Sequence, residues 1–265
     1  MAAKIELIND HFQNHKRYNV PRAQLIIADI PYNVGKDAYG SNPNWYIGGD
    51  NRNGESDKAN TAFFDTDGDF RIMEFWHFVN RLLKKEPKGT VKEMKERKNE
   101  PGCIIVFCSF QEQAYLIEKA AEYGFPKYIP LVFRKNFSSQ ALKANMRIVG
   151  CCEYALVFYR DKLPKFRNTD ANGERHMVMN CFDWRKDTKT PKVHPTQKPV
   201  AVLERLIEVF TDPGDVVIDP VAGSGSTLLA AARLGRDSYG FEIKKEYCRA
   251  FEEKIKPLAV PASER

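Results

Sequence analysis

The fold is decided by residues 25–32, Leu-Ile-Ile-Ala-Asp-Ile-Pro-Tyr. Four apolar residues in a row are typical of a buried strand in a parallel sheet, and ligands bind beyond the carboxyl ends of such strands. Pro31 fixes its own φ and disfavours a helical conformation at Ile30, so the strand is expected to end here. Asp29, the carbonyl of Ile30 and Tyr32 are then presented together. Such a group can hold a flat ring that carries an amino group, although an ordinary strand end with a buried tyrosine fits the tetrapeptide equally well.

The composition is that of a globular protein with a sizeable core. The 265 residues are 43% hydrophobic and 29% charged, which is typical of folded domains and sufficient for one large α/β domain. No apolar run reaches the roughly 18 residues that cross a membrane, and the first residues lack the apolar core of a signal peptide. Six cysteines without CxxC spacing favour reduced thiols over disulfides or a metal site. These features predict a cytoplasmic protein that binds neither a metal nor a membrane.

Positive charge is concentrated in one part of the chain. Residues 134–198 hold 14 Lys and Arg against 6 Asp and Glu, a local net charge of +8 in a chain of net charge +6. Within this part, residues 161–193 carry Phe166, Phe182 and Trp184 among basic and polar residues. Charge with interleaved aromatic rings suits nucleic acid. We therefore predict a polyanionic partner, although a solvated face with surplus lysines has the same composition.

Hydrophobic periodicity predicts alternating helices and strands over the rest of the chain. Residues 1–24 are expected to form a short helical lead-in, residues 36–70 a long loop, and residues 84–102 a charged surface excursion. The long loop is the second candidate for a nucleic-acid contact. Further strands are expected at residues 103–108, 128–133, 153–159, 216–218 and 238–242, and helices at 71–85, 112–123, 200–210 and 228–234.

A second ligand site is predicted within residues 216–242. The strand predicted at residues 216–218 is followed by Asp219, Gly223 and Gly225, then a helix, then a strand that ends at Glu242. Glycines let the backbone approach a ligand, and the N-terminus of a helix offers N–H groups. Glu242 lies 17 residues after Gly225, near the ~20 expected of a carboxylate that accepts ribose hydroxyls. The pattern indicates nucleoside binding, without the full GxGxxG or Walker A motif.

These two stretches together carry a resemblance to a known family. Residues 29–32 resemble the (D/N/S)PP(Y/F) catalytic motif of amino-group DNA methyltransferases. Residues 194–242 resemble the half of the same family that binds S-adenosylmethionine (AdoMet), with its HPTQKP, DPxAGSGST and GxE elements in order. In this sequence the catalytic motif comes before the AdoMet motif. This order is the arrangement of the beta group of the family, which includes many N6-adenine enzymes.

The resemblance implies a Rossmann-like, AdoMet-dependent methyltransferase fold of the α/β class. The sheet would be mostly parallel and circularly ordered, with the catalytic motif before the AdoMet motif. Residues 1–160 would form the catalytic half of the domain, and residues 194–265 the AdoMet-binding half. Residues 161–193 would be a basic target-recognition insertion between them.

The resemblance also implies roles for individual residues. The base, flipped out of the duplex, would be held by Asp29, Ile30, Pro31 and Tyr32. Lys198 would pair with the carboxylate of AdoMet, and Glu242 would bind its ribose. The full predicted cofactor set is Lys198, Asp219, Ala222, Gly223, Gly225, Ser226 and Glu242. The basic region adds predicted DNA contacts at Arg134, Lys135, Trp184, Arg185 and Lys186, where Trp184 would either stack on a base or anchor its loop to the core.

The implied activity is methyl transfer from AdoMet to the N6 amino group of adenine in double-stranded DNA, in a bacterial or phage-like setting. Asp29 favours adenine over N4-cytosine, which stays an alternative. Ile30 and Val221 depart from the proline and phenylalanine that are usual in the family. An RNA or protein amide methyltransferase, or a catalytically silent DNA-binding protein, also stays open. So do a homodimer and a restriction endonuclease partner.

Overall fold

The computed structural model describes residues 3–31, 70–137, 140–143, 148–170 and 172–259. A short 3-10 helix, Phe12–Arg17, follows the first strand. The strands are β1 (Ile5–Ile8), β2 (Leu25–Asp29), β3 (Cys103–Cys108), β4 (Lys127–Lys135), β5 (Gln140–Lys143), β6 (Ile148–Gly150), β7 (Cys152–Tyr159), β8 (Cys181–Trp184), β9 (Val216–Asp219) and β10 (Asp237–Phe241). The helices are α1 (Ile72–Leu82), α2 (Val91–Glu96), α3 (Gln113–Glu122), α4 (Val200–Phe210), α5 (Ser226–Arg233) and α6 (Lys245–Ala250).

Eight of these strands form one mostly parallel sheet in the order β1-β10-β9-β2-β3-β7-β4-β8. Strand β7 is antiparallel to its neighbours β3 and β4, whereas the other neighbouring pairs are parallel. Strands β5 and β6 make a separate antiparallel pair. The carboxyl ends of β2, β3, β4, β8, β9 and β10 therefore share one edge, which we call the carboxyl edge. The predicted fold is confirmed.

Strand β2 lies in the middle of the sheet and joins the two predicted halves of the domain. Leu25 is paired with Val217 of β9 on one side and with Cys103 of β3 on the other. All residues of β2 before Asp29 are buried, as expected of a strand that is covered on both faces. This pairing brings a carboxylate near the start of the chain beside a turn near its end.

Helices cover both faces of the sheet. On one face, α4, α5 and Phe251 pack against Ile27 and Phe107. On the other face, α1 and α3 pack with Phe12 against Ile26 and Ile104. Alternate residues of each strand thus enter different apolar clusters, because side chains of a strand point to opposite faces. The result is a three-layer α/β/α domain with a rigid carboxyl edge.

Two expectations about secondary structure were wrong. Residues 1–24 were expected to be helical, but Ile5–Ile8 is a strand whose partner, β10, lies far along the chain. Residues 84–102 contain helix α2, with Met94 and Glu100 buried, rather than only a surface excursion. Residues 36–69 of the expected long loop lie outside the described residues. In the described parts of the chain, no helix has the length and apolarity required to cross a membrane.

Candidate active site

An ion pair at the carboxyl edge joins the two predicted halves of the site. Nζ of Lys198 lies 2.7 Å from Oδ2 of Asp29, the last residue of β2. Lys198 stands just before α4 and is 9% exposed. A buried ammonium requires a partner of opposite charge, and Asp29 provides it. The contact that was predicted between Lys198 and a cofactor carboxylate stays a prediction.

The residues after Asp29 leave the sheet at this edge. The side chain of Ile30 is 4% exposed and packs in the apolar cluster with Phe12 and Ile26. Isoleucine at the usual proline position therefore keeps this position apolar and filled. The predicted roles of the Ile30 carbonyl and of Pro31 stay predictions, and Tyr32 lies outside the described residues.

Two aromatic rings flank the ammonium group of Lys198. Its Nζ lies 4.6 Å from the ring centroid of Phe107 and 5.4 Å from that of Trp184. Trp184 is 6% exposed and meets Phe133 edge to face, with the ring centroids 6.0 Å apart. Trp184 is therefore not exposed, as stacking on a DNA base would require. Strand β8 pairs with β4 in the main sheet and carries Trp184 into the core, which favours the anchoring alternative.

Asp219 shapes the turn that follows β9. Its Oδ1 accepts a hydrogen bond from the N–H of Val221 at 3.0 Å. Burial raises the pKa of Asp219 to about 7, and the nearby carboxylates of Asp29 and Glu242 act in the same direction. A hydrogen bond with Thr227 partly opposes that shift. The position of Asp219 therefore fits a residue that holds the turn in place, and a direct cofactor contact stays a prediction.

The turn itself is built from small residues with unusual backbone conformations. Gly223 and Gly225 have φ of +50° and +74°, in the region that favours glycine. Ala222 donates its N–H to the carbonyl of Phe241 on β10, which fixes the turn against the next strand. Ser226 begins α5, and its hydroxyl lies 2.9 Å from that of Ser224. The turn thus presents backbone and small side chains to the carboxyl edge.

Glu242 faces this turn from the end of β10. Its Oε2 accepts the N–H of Gly223 at 2.9 Å, and its Oε1 accepts the N–H of Lys244 at 2.7 Å. Burial raises its pKa, and these backbone hydrogen bonds oppose the shift. Because each carboxylate oxygen can accept more than one hydrogen bond, Glu242 can also accept hydroxyl groups of a ligand.

His194 is a site residue that sequence reasoning missed. Its ring packs edge to face on Tyr247, with ring centroids 4.6 Å apart, and it lies 3.6 Å from where a Cβ of Gly223 would stand. Burial lowers the pKa of His194 to about 4, and the charges of Lys198 and Lys244 act in the same direction. The imidazole is therefore neutral at pH 7. It was quoted in the HPTQKP motif, which was the available signal, but only Lys198 was assigned a role.

The predicted DNA-contacting cations end at the same edge but differ in their surroundings. Arg185 and Lys186, which follow β8, are exposed. Arg134 is exposed and lies 2.8 Å from Asp183. Lys135 is buried in an ion pair with Glu153, so the structure does not offer it to a phosphate. Arg185 and Lys186 are exposed at this edge, and their contact with DNA stays a prediction.

Part of the basic charge of residues 161–193 is neutralised inside the protein, at the opposite edge of the sheet. Lys165 is 2% exposed and lies 2.9 Å from Asp212. Arg167 contacts both Glu100 and Asp212, at 2.6 and 2.8 Å. These carboxylates precede β3 and β9, so they lie at the amino ends of those strands. The local excess of positive charge therefore overstates the charge that faces a ligand at the carboxyl edge.

Comparisons of sequence identify relatives of this chain. The sequence profile of a DNA methylase family matches residues 23–253. The Escherichia coli (strain K12) protein YubD is 37% identical over 137 residues, which are 50% of this chain and 52% of YubD, so the match spans about half of that relative. The DNA adenine methyltransferase YhdJ of Escherichia coli (strain K12) is 28% identical over 271 residues, covering 93% of this chain and 81% of YhdJ.

Solved structures share the fold. The M1.HpyAVI–SAM complex has a TM-score of 0.64 and 22% identity, covering 94% of this chain and 98% of that one. The cytosine-N4-specific PvuII DNA methyltransferase also has a TM-score of 0.64, with 18% identity, covering 95% of this chain and 86% of that one. Because the family profile matches from before β2 to beyond α6, this chain belongs to the DNA methylase family.

Proposed function

We propose that this protein transfers a methyl group from AdoMet to the N6 amino group of adenine in DNA. The observation that carries the proposal is the pairing of β2 with β9, which brings Asp29 and the glycine turn to neighbouring strands at one edge. A base-binding carboxylate and a nucleoside-binding turn must lie side by side if one methyl group is to pass between their ligands. The adenine specificity of YhdJ, as its name gives it, supports the choice of base.

The turn and its surroundings fit AdoMet. A Cβ at Gly223 would lie 3.6 Å from the ring of His194, an ordinary van der Waals contact, so the imidazole borders the backbone of the turn. Glu242 can accept ribose hydroxyls, and the ring of neutral His194 can pack against a ligand beside the turn. The M1.HpyAVI structure, which has the same fold, is a SAM complex by its title. When bound, AdoMet would supply an electrophilic methyl group.

Asp29 would act on the nucleophile. The N6 amino group of adenine is a poor nucleophile because its lone pair is delocalised into the ring. Hydrogen bonds from its two N–H groups to Asp29 and to the Ile30 carbonyl would favour a pyramidal nitrogen, whose lone pair can form the new C–N bond as the bond between the methyl carbon and sulfur breaks. The nitrogen would then lose one of its protons. The side chain of Asp29 is 30% exposed, which leaves it accessible to a base. Tyr32 would replace the stacking that the base loses when it leaves the duplex.

DNA would approach the carboxyl edge from the side of β8. We propose that residues 161–193 recognise the target mainly through the stretch after β8, where Arg185 and Lys186 are exposed. Strand β8 itself belongs to the main sheet and would serve as the base of this region. Exposed cations next to a catalytic edge provide the phosphate contacts that position a duplex.

Methylation of N4 of cytosine is the second candidate. The cytosine-N4-specific PvuII enzyme shares the fold, which supports this second candidate. The amino groups at N4 of cytosine and N6 of adenine would both present two N–H groups to Asp29. The two are separated by incubating the purified protein with DNA and tritiated AdoMet, then identifying the methylated nucleoside by mass spectrometry. N6-methyladenine is the expected product. Label in N4-methylcytosine, or in RNA or protein supplied in parallel, would contradict the proposal.

The variant Asp29→Ala tests the assigned chemistry. Removing one preorganised hydrogen-bonding group typically costs about 100-fold or more in rate, so transfer should fall at least that far. AdoMet affinity, measured by calorimetry, should be unchanged. Asp161→Ala is the matched control, since this exposed aspartate follows β7 at the opposite edge of the sheet. A loss of AdoMet affinity in Asp29→Ala with an intact fold would place Asp29 in the wrong site.

A further inference from the structure

Trp184 is buried, and its ring also lies beside the ion pair between Lys198 and Asp29. Its ring centroid lies 5.4 Å from Nζ of Lys198, and the ring of Phe107 lies 4.6 Å from the same nitrogen. That nitrogen is 2.7 Å from Oδ2 of Asp29. The ammonium group therefore lies between two aromatic rings and a carboxylate. One of those rings comes from the edge strand β8, and the carboxylate comes from the centre of the sheet.

The position of Trp184 is fixed by its own strand. Trp184 is paired with Lys135 in the register of β8 and β4, and its ring meets Phe133 edge to face. Nζ of Lys135 also lies 5.1 Å from the Trp184 ring centroid. The indole is thus held by backbone pairing and by packing. A ring held in this way can restrain a flexible neighbour.

Lysine is the kind of neighbour that requires restraint. Its ammonium group ends a stem of four rotatable carbons, so it has no fixed direction of its own. The face of an indole attracts a cation, and the attraction grows when both groups are removed from water. Lys198 is 9% exposed and Trp184 is 6% exposed. The two rings therefore restrict the directions in which Nζ can move and favour its position on Asp29.

We propose that Trp184 is a positioning residue for methyl transfer. It holds the ammonium group of Lys198 on Asp29, and Lys198 in turn orients the carboxylate that receives the amino group of the target base. The proposal rests on the function proposed above and deepens it. It also links the site to DNA, because Trp184 is followed directly by Arg185 and Lys186, which are exposed.

The test compares two aromatic residues of the same strand. Trp184→Leu removes the ring next to Lys198, whereas Phe182→Leu removes a ring that stacks on Phe133 with centroids 5.4 Å apart. Both variants are assayed for transfer to DNA at saturating AdoMet, with melting temperatures measured in parallel. A misplacement of about 1 Å can cost about 100-fold in rate. We expect kcat of Trp184→Leu to fall by between about tenfold and 100-fold, with KM for AdoMet unchanged, while Phe182→Leu, which reaches Trp184 only through Phe133, should cost several-fold less.

Two further variants keep the test decisive if Trp184→Leu is unstable. Trp184→Phe retains an aromatic face and should recover most of kcat. In a double-mutant cycle with Lys198→Met, adding Trp184→Met, which fills irregular space but lacks the aromatic ring, should cost nothing further, because a residue that acts only through Lys198 has no effect once Lys198 is gone. Additive losses in kcat, or equal kcat for Trp184→Leu and Phe182→Leu, would overturn the inference.

An NMR measurement on the ligand-free protein checks the contact between Trp184 and Lys198 directly. The indole N–H resonance of Trp184 is assigned by its absence in Trp184→Phe. It should shift in Lys198→Met and stay in place in Phe182→Leu, and an unmoved resonance in Lys198→Met would contradict the contact. If the wild-type protein transfers no methyl group to DNA, the proposed function fails, and this inference fails with it. If the wild type transfers and the kcat comparison fails, the inference alone is refuted.

Discussion

Replacing Gly225 by alanine should destabilise the glycine turn by an amount that can be estimated from the structure. Gly225 has φ of +74° and directly precedes α5, so its conformation sets the start of that helix. A Cβ at this position would lie 2.2 Å from Cδ2 and 2.5 Å from Cε2 of Phe251. Phe251 is fully buried, so its ring cannot leave without opening the core. The variant therefore combines backbone strain with overpacking.

Each contribution has a typical size. A left-handed conformation costs a non-glycine residue roughly 1–2 kcal/mol. Overpacking a well-filled core typically costs about 1–3 kcal/mol. Together, these values predict a loss of about 2–5 kcal/mol in the free energy of unfolding of Gly225→Ala. At roughly 2–4 °C per kcal/mol for a chain of this size, the melting temperature should fall by about 4–20 °C.

Gly124→Ala is the matched control. Gly124 has φ of +87°, and a Cβ there would meet nothing within 4 Å. It therefore carries the backbone strain without the collision. Urea titrations of both variants should show a larger loss for Gly225→Ala, and Gly225→Ala combined with Phe251→Leu should recover part of the difference. Equal losses for Gly225→Ala and Gly124→Ala would refute the assignment of the extra cost to Phe251.

Three further predictions concern charge. Glu242→Gln should weaken AdoMet binding, measured by calorimetry, because the amide loses the charge that favours ribose hydroxyls, and it should also lower the melting temperature, because only one of the N–H groups of Gly223 and Lys244 keeps an acceptor oxygen. Replacing Arg185 and Lys186 together by alanine should flatten the slope of log K for DNA against log salt by about 1.8, since each phosphate contact contributes about 0.9. Burial raises the pKa of Asp219 in the folded protein to about 7, above the ~3.9 of an unfolded chain. The folded state then binds the extra proton between these values, so stability falls as pH rises from about 4 to about 7, and Asp219→Asn should remove that decline in urea titrations.

For each of these predictions, one experimental result would contradict it. Unchanged AdoMet affinity in Glu242→Gln would remove the ribose contact from this residue. Lys92→Ala with Lys95→Ala, on α2 far from the carboxyl edge, removes the same charge and should leave the salt slope unchanged. An equal flattening in that control would show that charge alone, rather than position, governs the effect. A stability profile of Asp219→Asn that matches the wild type from pH 4 to pH 7 would mean that Asp219 is ionised in the folded protein.

The strands and helices of the carboxyl edge could be predicted because their signals are local. The apolar run of β2 ends at Asp29, and residues 200–210 were predicted as a helix with the bounds that the structure shows. Glycines with positive φ mark the turn before α5, where the backbone requires them. In these stretches, neighbouring residues in the sequence are sufficient to determine the conformation.

The surroundings of Trp184 could not be predicted because they come from distant parts of the chain. Strand β8 has only four residues, Cys181–Trp184, which is a weak strand signal, and its partner strand lies far earlier in the sequence. From its composition alone, the same segment was predicted to be a basic surface. Likewise, the partners of Lys165 and Arg167 are carboxylates from remote loops. Pairing between distant segments determines which cations can reach a ligand, and local sequence patterns carry no information about that pairing.

The order of strands in the sheet has a consequence for how the protein is made. Strand β2 leaves the ribosome well before its neighbour β9, which is synthesised only after residue 215, and β1 waits still longer for β10. Parallel pairing between distant segments forms slowly, since the entropy of closing a long loop is lost first. A nascent chain that stops before β9 therefore exposes the apolar edge of β2, which is an aggregation hazard. Asp29 and the glycine turn meet only after β9 and that turn have been synthesised, so products truncated before β9 should be insoluble rather than partly active.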